Sequence, residues 1–215
     1  MKRLLILGLA VMLTLALGSA AMASTMGVNV SKGTAIDVER YLYDQSDSDF
    51  SMIWGNYAPN DKILFKLGYA FDPFTNNDFS DELTFGIRYS IINNLALVAD
   101  YNAVEDVDDY YGLGLRGKLN LGKKVDLTGE LKYKNNMETD EDVTTFWGQG
   151  EFKVSDFATL NAGLGFDDLG DIDSDTTYGI LGAEFYIKKV TIYMDYYIYD
   201  DSDNNSACVG IDFAF

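Results

Sequence analysis

The sequence predicts an all-β protein: a single antiparallel up-and-down transmembrane β-barrel, most simply of twelve strands, with ten as the alternative. Three observations predict it. Apolar and polar residues alternate with a period of two along most of the chain after residue 34, the period of a half-buried strand and not of a helix. The connections between these segments are short and long by turns, as in barrels that cross a membrane. After residue 23 no apolar run is long enough to cross a bilayer as a helix.

The N-terminal element stands apart. Lys2 and Arg3 precede an apolar run from Leu4 to Leu17, and Ala21-Met22-Ala23 offers a small-residue cleavage site. This order marks a secretory signal peptide over residues 1–23, cut after Ala23. Residues 24–33 follow as a short periplasmic lead-in, and residues 34–215 form the barrel. The formal charge of −18 becomes −20 when Lys2 and Arg3 leave with the signal peptide. Such a charge disfavours nucleic acid as a partner. Cys208 is the only cysteine, so no intrachain disulfide is available, and barrel closure is the expected source of rigidity. Only 2 Pro stand against 20 Gly, 15 Tyr and 13 Phe, which suits many strands with few irregular linkers.

The strands are expected near 35–43, 51–58, 62–71, 82–90, 95–102, 110–121, 125–134, 144–154, 158–166, 177–187, 190–199 and 206–215. The count is even, as single-chain bacterial barrels require. Alternation is cleanest in the middle and near the end of the chain. Leu83, Phe85, Ile87 and Tyr89 interleave with Thr84, Gly86, Arg88 and Ser90. Val190, Ile192, Met194, Tyr196 and Ile198 interleave with Thr191, Tyr193, Asp195 and Tyr197. The first two segments are weaker. Arg40 falls on the side of Ile36, Val38 and Leu42, and 51–58 has no clean polar face; these two are the reason ten strands stay open.

Charge sorts with loop length. The six long connections (44–50, 72–81, 103–109, 135–143, 167–176 and 200–205) carry 22 of the 34 acidic residues and no Lys or Arg. Basic residues such as Lys62, Lys123, Lys124, Lys188 and Lys189 gather at the short turns. The barrel should therefore be acidic at its loop end and basic at its turn end.

In a membrane barrel the apolar face points outward. Closure is needed because an unpaired edge in hydrocarbon leaves backbone groups unsatisfied. The outward set has aromatic residues at both ends, with Tyr69, Phe71, Tyr101, Tyr111, Tyr133 and Phe166 near the loops, and Tyr89, Phe152, Phe213 and Phe215 near the turns. Two such bands are what interfacial girdles require. The inward set carries both signs: Lys66, Arg88, Asp100, Arg116, Lys118, Glu130, Lys132, Glu151, Glu184 and Asp195 are the pore-lining candidates, with Asp126 and Lys153 beside them. Inward glycines at 68, 86, 112, 114, 163, 165, 182 and 210 are expected to leave room for water. Twelve strands fall between a packed eight-stranded barrel and a wide sixteen-stranded channel.

Much chemistry is missing. The chain has no His, which removes Ser-His-Asp, Cys-His and His-metal sites together; no enzymatic activity is expected. Acid pairs such as Asp108-Asp109 and Asp167-Asp168 read as solvated loop charge. Cys208 reads as a small filler, since no cation or imidazole near it would activate it. Asp171, Asp173 and Asp175 have the spacing that opens a calcium loop, but Thr176 and Gly182 stand where that loop needs Gly and Glu. Loose binding of Ca²⁺ or Mg²⁺ by the acidic loops is the most they imply, and no cofactor is expected. Gly112-x-Gly114 sits inside a strand and is no nucleotide fingerprint. Trp54 and Trp147 read as packing or interface residues.

The last ten residues, SACVGIDFAF, set Ala207, Val209, Ile211, Phe213 and Phe215 on one face and Cys208, Gly210, Asp212 and Ala214 on the other. This pattern, ending in an aromatic, resembles the C-terminal strand of bacterial outer-membrane proteins. With the leader, the alternating segments and the sorted loops, the whole chain resembles a porin-like member of that class. The resemblance implies an outer-membrane location. It also implies that Phe213 and Phe215 belong to a signal read by the barrel-assembly machinery, with periplasmic chaperones as partners in transit and lipid and lipopolysaccharide as surroundings. The implied function is passive diffusion of small polar solutes or ions, cation-preferring through the acidic loops. The alternative is a non-conducting structural or adhesive barrel whose loops bind divalent cations, lipopolysaccharide or a surface partner. A soluble β-sandwich is a third, weaker reading.

Overall fold

The computed structural model describes residues 32–44, 49–72, 81–104, 109–137, 142–168, 176–200 and 205–215. Twelve strands alternate in direction: β1 Gly33–Tyr43, β2 Phe50–Ala58, β3 Ile63–Phe71, β4 Glu82–Ile92, β5 Leu95–Val104, β6 Tyr110–Leu121, β7 Val125–Asn136, β8 Asp142–Ser155, β9 Ala158–Asp168, β10 Thr176–Ile187, β11 Val190–Tyr199 and β12 Ser206–Ala214. Each pairs antiparallel with its chain neighbours, and β12 pairs with β1 to close the barrel. Val38 lies opposite Ile211 and Leu42 opposite Ala207, so apolar faces align across the seam. The Phe215 N–H donates to the Thr34 carbonyl at 2.9 Å, which ties the chain end into β1. Closure leaves no strand edge, the condition for a sheet in hydrocarbon.

Both weak segments are strands, so the count is twelve and the ten-strand alternative is removed. The reason for their weak pattern is visible. Arg40 does face outward, but near the loop end, where it donates to Ser51 Oγ at 3.2 Å and Asp49 Oδ2 at 3.3 Å and lies 3.8 Å from Asp72. In β2 the interior face itself carries large residues, Met52 and Trp54. Trp54 lies opposite Asp37 and Gly68, both interior positions.

Burial is inverted relative to a soluble protein. Leu113, Leu131, Leu164, Leu181 and Met194 are each more than half exposed, while Thr84, Arg88, Asn102, Glu130, Gln149 and Asp195 are buried. A contiguous apolar exterior of this kind marks a membrane surface, and with closure it excludes the soluble sandwich. Tyr101, Tyr111 and Tyr133 are exposed near the loop ends, and Tyr89, Phe152, Phe213 and Phe215 near the turn ends. The hydroxyls of Tyr69 and Tyr101 donate to the carboxylates of Asp81 and Asp109. Each ring therefore sits in the apolar band with its polar tip turned to the loops.

The turns are tight for local reasons. Asn60 Oδ1 accepts from the N–H groups of Lys62 and Ile63 at 2.8 and 3.0 Å, a side-chain mimic of a backbone turn. Gly122 takes a φ of 83° and Lys188 a φ of 58°; both serve short hairpin connections, which favour left-handed backbone. Asp171, Asp173 and Asp175 lie outside the described residues.

Candidate functional site

The candidate site is the barrel interior, because that is where the charged side chains converge. Register decides which residues meet. Lys66 of β3 lies opposite Gly86, Gly86 opposite Asp100, Asp100 opposite Gly112, and Gly112 opposite Lys134. All ten pore-lining candidates fall on this interior face. So do several charged residues that the sequence reading left out of the site: Asp37, Glu39, Glu82, Lys134 and Asp212. Asp37 and Glu39 could have been found, since they alternate with Ile36, Val38 and Arg40. The outlying Arg40 hid the pattern.

Strands β3 to β8 form one half. Arg116 Nε and Nη2 both lie 2.6 Å from Glu130 Oε2, and Lys132 Nζ lies 3.2 Å from Glu130 Oε1. Lys132 also donates to Asp100. Towards the turns, Lys118 Nζ meets Asp126 Oδ2 at 2.9 Å and Glu151 at 4.0 Å. The Arg116 guanidinium stands 5.3 Å from the Trp147 ring centre, and the Lys134 ammonium 5.6 Å from that of Tyr110, within the reach of a cation–π contact. Every interior Lys and Arg on a described strand belongs to this half. A cavity of about 260 Å³ lies here, bordered by Met52, Trp54, Lys66, Arg88, Arg116 and Lys132 among others.

Strands β9 to β12, β1 and β2 form the other half. Its interior acids include Asp37, Glu39, Glu184, Asp195 and Asp212, with Asp167 at an interior register position, and the interior positions of these strands hold no Lys or Arg. Hydroxyl and N–H donors take the place of cations. The Tyr193 hydroxyl lies 2.6 Å from Glu39 Oε1 and 2.9 Å from both oxygens of Asp37. Trp54 Nε1 donates to Glu39 Oε2 at 3.0 Å, and the Tyr41 hydroxyl to the same oxygen at 3.2 Å. Asn161 Nδ2 donates to Asp195 Oδ1 at 3.0 Å, and Tyr186 donates to Glu184.

The interior glycines need a correction. Most are not room for water but sockets for a neighbour's side chain. A Cβ on Gly210 would stand 2.2 Å from the Tyr193 ring, on Gly68 2.3 Å from Trp54, and on Gly165 1.9 Å from Tyr178. At Gly182 it would meet Asp195 at 1.9 Å, and at Gly112 Asp100 at 2.4 Å. Gly114 and Gly163 face neighbouring backbone at 2.4 and 2.5 Å. Only Gly86 is open, with its nearest contact at 3.5 Å. The missing Cβ lets a ring or carboxylate lie flat along the wall and reach the next strand. Trp54 and Trp147, read as packing or interface residues, both face the interior.

No family model matches this sequence, and no curated protein does. The solved fold is more telling. The KdgM porin superimposes on 84% of this chain and 99% of its own length, with a TM-score of 0.64 at 13% identity. The chain folds as a porin-like β-barrel. The KdgM porin in complex with disordered oligogalacturonate gives a TM-score of 0.65 at 12% identity, with the same coverage of 84% and 99%. A triple mutant of the Rhodopseudomonas blastica porin matches over 77% of this chain and 55% of its own, at 22% identity and a TM-score of 0.42.

Proposed function

We propose that this barrel is an outer-membrane channel for passive diffusion of small polar solutes and ions, with a preference for cations. The carrying observation is the interior: a closed twelve-stranded wall lined by ionic groups, acidic along one half and ion-paired along the other. The loops add 22 acids and no base at one mouth, and a rim of one sign concentrates its counter-ions. Export through the leader at residues 1–23, and assembly through Phe213 and Phe215, belong to the same reading. Oligogalacturonate, the ligand in the KdgM porin complex, is an unlike cargo: here Arg116, Lys118 and Lys132 are engaged by Glu130, Asp126 and Asp100.

The test is conductance of the purified barrel in a planar bilayer under a salt gradient. Stable steps with a cation-selective reversal potential support the reading. Neutralising acids in the long loops should lower that selectivity, and an unchanged reversal potential sinks the role of the loops. The Arg116–Glu130–Lys132–Asp100 network also favours a second reading, a closed structural or adhesive barrel whose loops bind divalent cations. A barrel that inserts, never conducts, and gains more thermal stability from Ca²⁺ than from matched monovalent salt establishes that one.

A further inference from the structure

We infer that the acidic half of the interior holds an entry site for organic cations carrying an alkylammonium group. This rests on the channel reading and names the solute class it serves. Two groups of rings stand at the loop end of this half. Tyr41 stacks on Phe50 at 4.6 Å and 11°, with Tyr43 at 6.2 Å from the same ring. Tyr178 lies 5.3 Å from Tyr199 and 6.0 Å from Tyr197. Register places all six on the interior face: Tyr43 and Tyr197 both lie opposite Ser206, and Tyr41 opposite Cys208. Two small side chains of β12 therefore separate the two aromatic groups.

Deeper along the same strands lie carboxylates. Asp195 is two residues below Tyr197, Glu39 two below Tyr41, and both face the interior. Ring faces attract cations, most strongly where water is displaced, and the carboxylates set the sign. Asp195 is held in place from the side: Asn161 Nδ2 donates to its Oδ1 at 3.0 Å, and both side chains pack over Gly182.

A metal ion fits less well. Among the described residues no group of three or more ligating side chains is placed to share one, and ring faces are not ligands for hard cations. A neutral sugar would stack on the rings, but the groups beneath offer acceptors where its hydroxyls need both kinds of partner.

The experiment is block of K⁺ current through the purified barrel in a planar bilayer. The probes are n-butylammonium, its uncharged analogue 1-butanol, and glucose, each added from the loop side. Block by n-butylammonium at concentrations about tenfold below those needed for 1-butanol supports the site. Tyr43→Leu with Tyr178→Leu should weaken that block about tenfold, and so should Asp195→Asn, while Tyr89→Leu on the lipid face leaves it intact. Equal block by 1-butanol, no block, or block by glucose alone overturns the inference, the last in favour of a sugar site. The wild-type comparison decides even where a variant fails to fold. A barrel that never conducts removes the channel reading; calorimetric titration with n-butylammonium and 1-butanol then judges the site separately, and absence of ammonium-selective binding overturns it.

Discussion

The two halves of the interior are built on the same alternation, yet they neutralise charge in different ways. From β3 to β8 most interior acids are met by Lys or Arg, as Glu130 is met by Arg116 of the neighbouring strand and Lys132 of its own; Glu82, held by the hydroxyls of Thr84 and Tyr110, is the exception. From β9 round to β2 acids are met by neutral donors, as Asp37 and Glu39 are by Tyr193. An ion pair cancels charge; a hydroxyl donor solvates a carboxylate and leaves its charge in place. The first half is therefore tied together by ion pairs, and the second holds acids with no interior cation on its own strands. The proposed cation preference rests on that asymmetry.

Removing one carboxylate from each half separates them most sharply. Glu130→Ala should destabilise the barrel by about 3–5 kcal/mol, because a buried pair that loses one member strands the other charge. Asp37→Asn should be neutral or stabilising, since Asp37 and Glu39 crowd one hydroxyl and Asp37 is not in an ion pair with Lys66, the nearest interior cation. Thermal unfolding in detergent reads both, and equal losses would erase the distinction between the halves.

A smaller loss should follow Tyr193→Phe. It removes the donor that serves Asp37 and Glu39 and should cost about 1–3 kcal/mol, the range for a buried acceptor left unmet. The same unfolding assay checks it, and an unchanged midpoint would mean that the hydroxyl is not what holds these acids.

The glycine sockets give the finest comparison. Gly210→Ala drives a methyl group into the Tyr193 ring and should cost about 1–3 kcal/mol. Gly86→Ala in the other half meets nothing closer than 3.5 Å and should stay within about 0.5 kcal/mol. Equal effects at the two sites would show that the Tyr193 ring moves aside freely.

Alternation along single strands was enough to place all twelve strands to within two residues and to assign their faces, because a period of two is a local property of the pleat. Val190–Tyr199 was legible in full. Arg40 and Trp54 obscured β1 and β2, since an outward Arg met by loop-side acids and an interior wall of large residues both break the simple apolar-out pattern. The same local logic put Lys66, Arg116, Glu130 and Asp195 on one interior surface, but could not say which of them meet.

Partners were decided by closure and register. Tyr193 reaches Asp37 across 156 positions of chain, a contact that exists only because β12 pairs with β1 and Gly210 between them carries no side chain. Glycine in a sequence reads as empty space, and only the adjacent strand shows whether a ring fills it. The sequence by itself determined a membrane barrel with a charged interior. The tertiary structure decided that this interior has an ion-paired half and an acidic one, because register brings Arg116, Lys118 and Lys132 beside carboxylates of other strands and leaves Asp37 and Glu39 beside the Tyr193 hydroxyl.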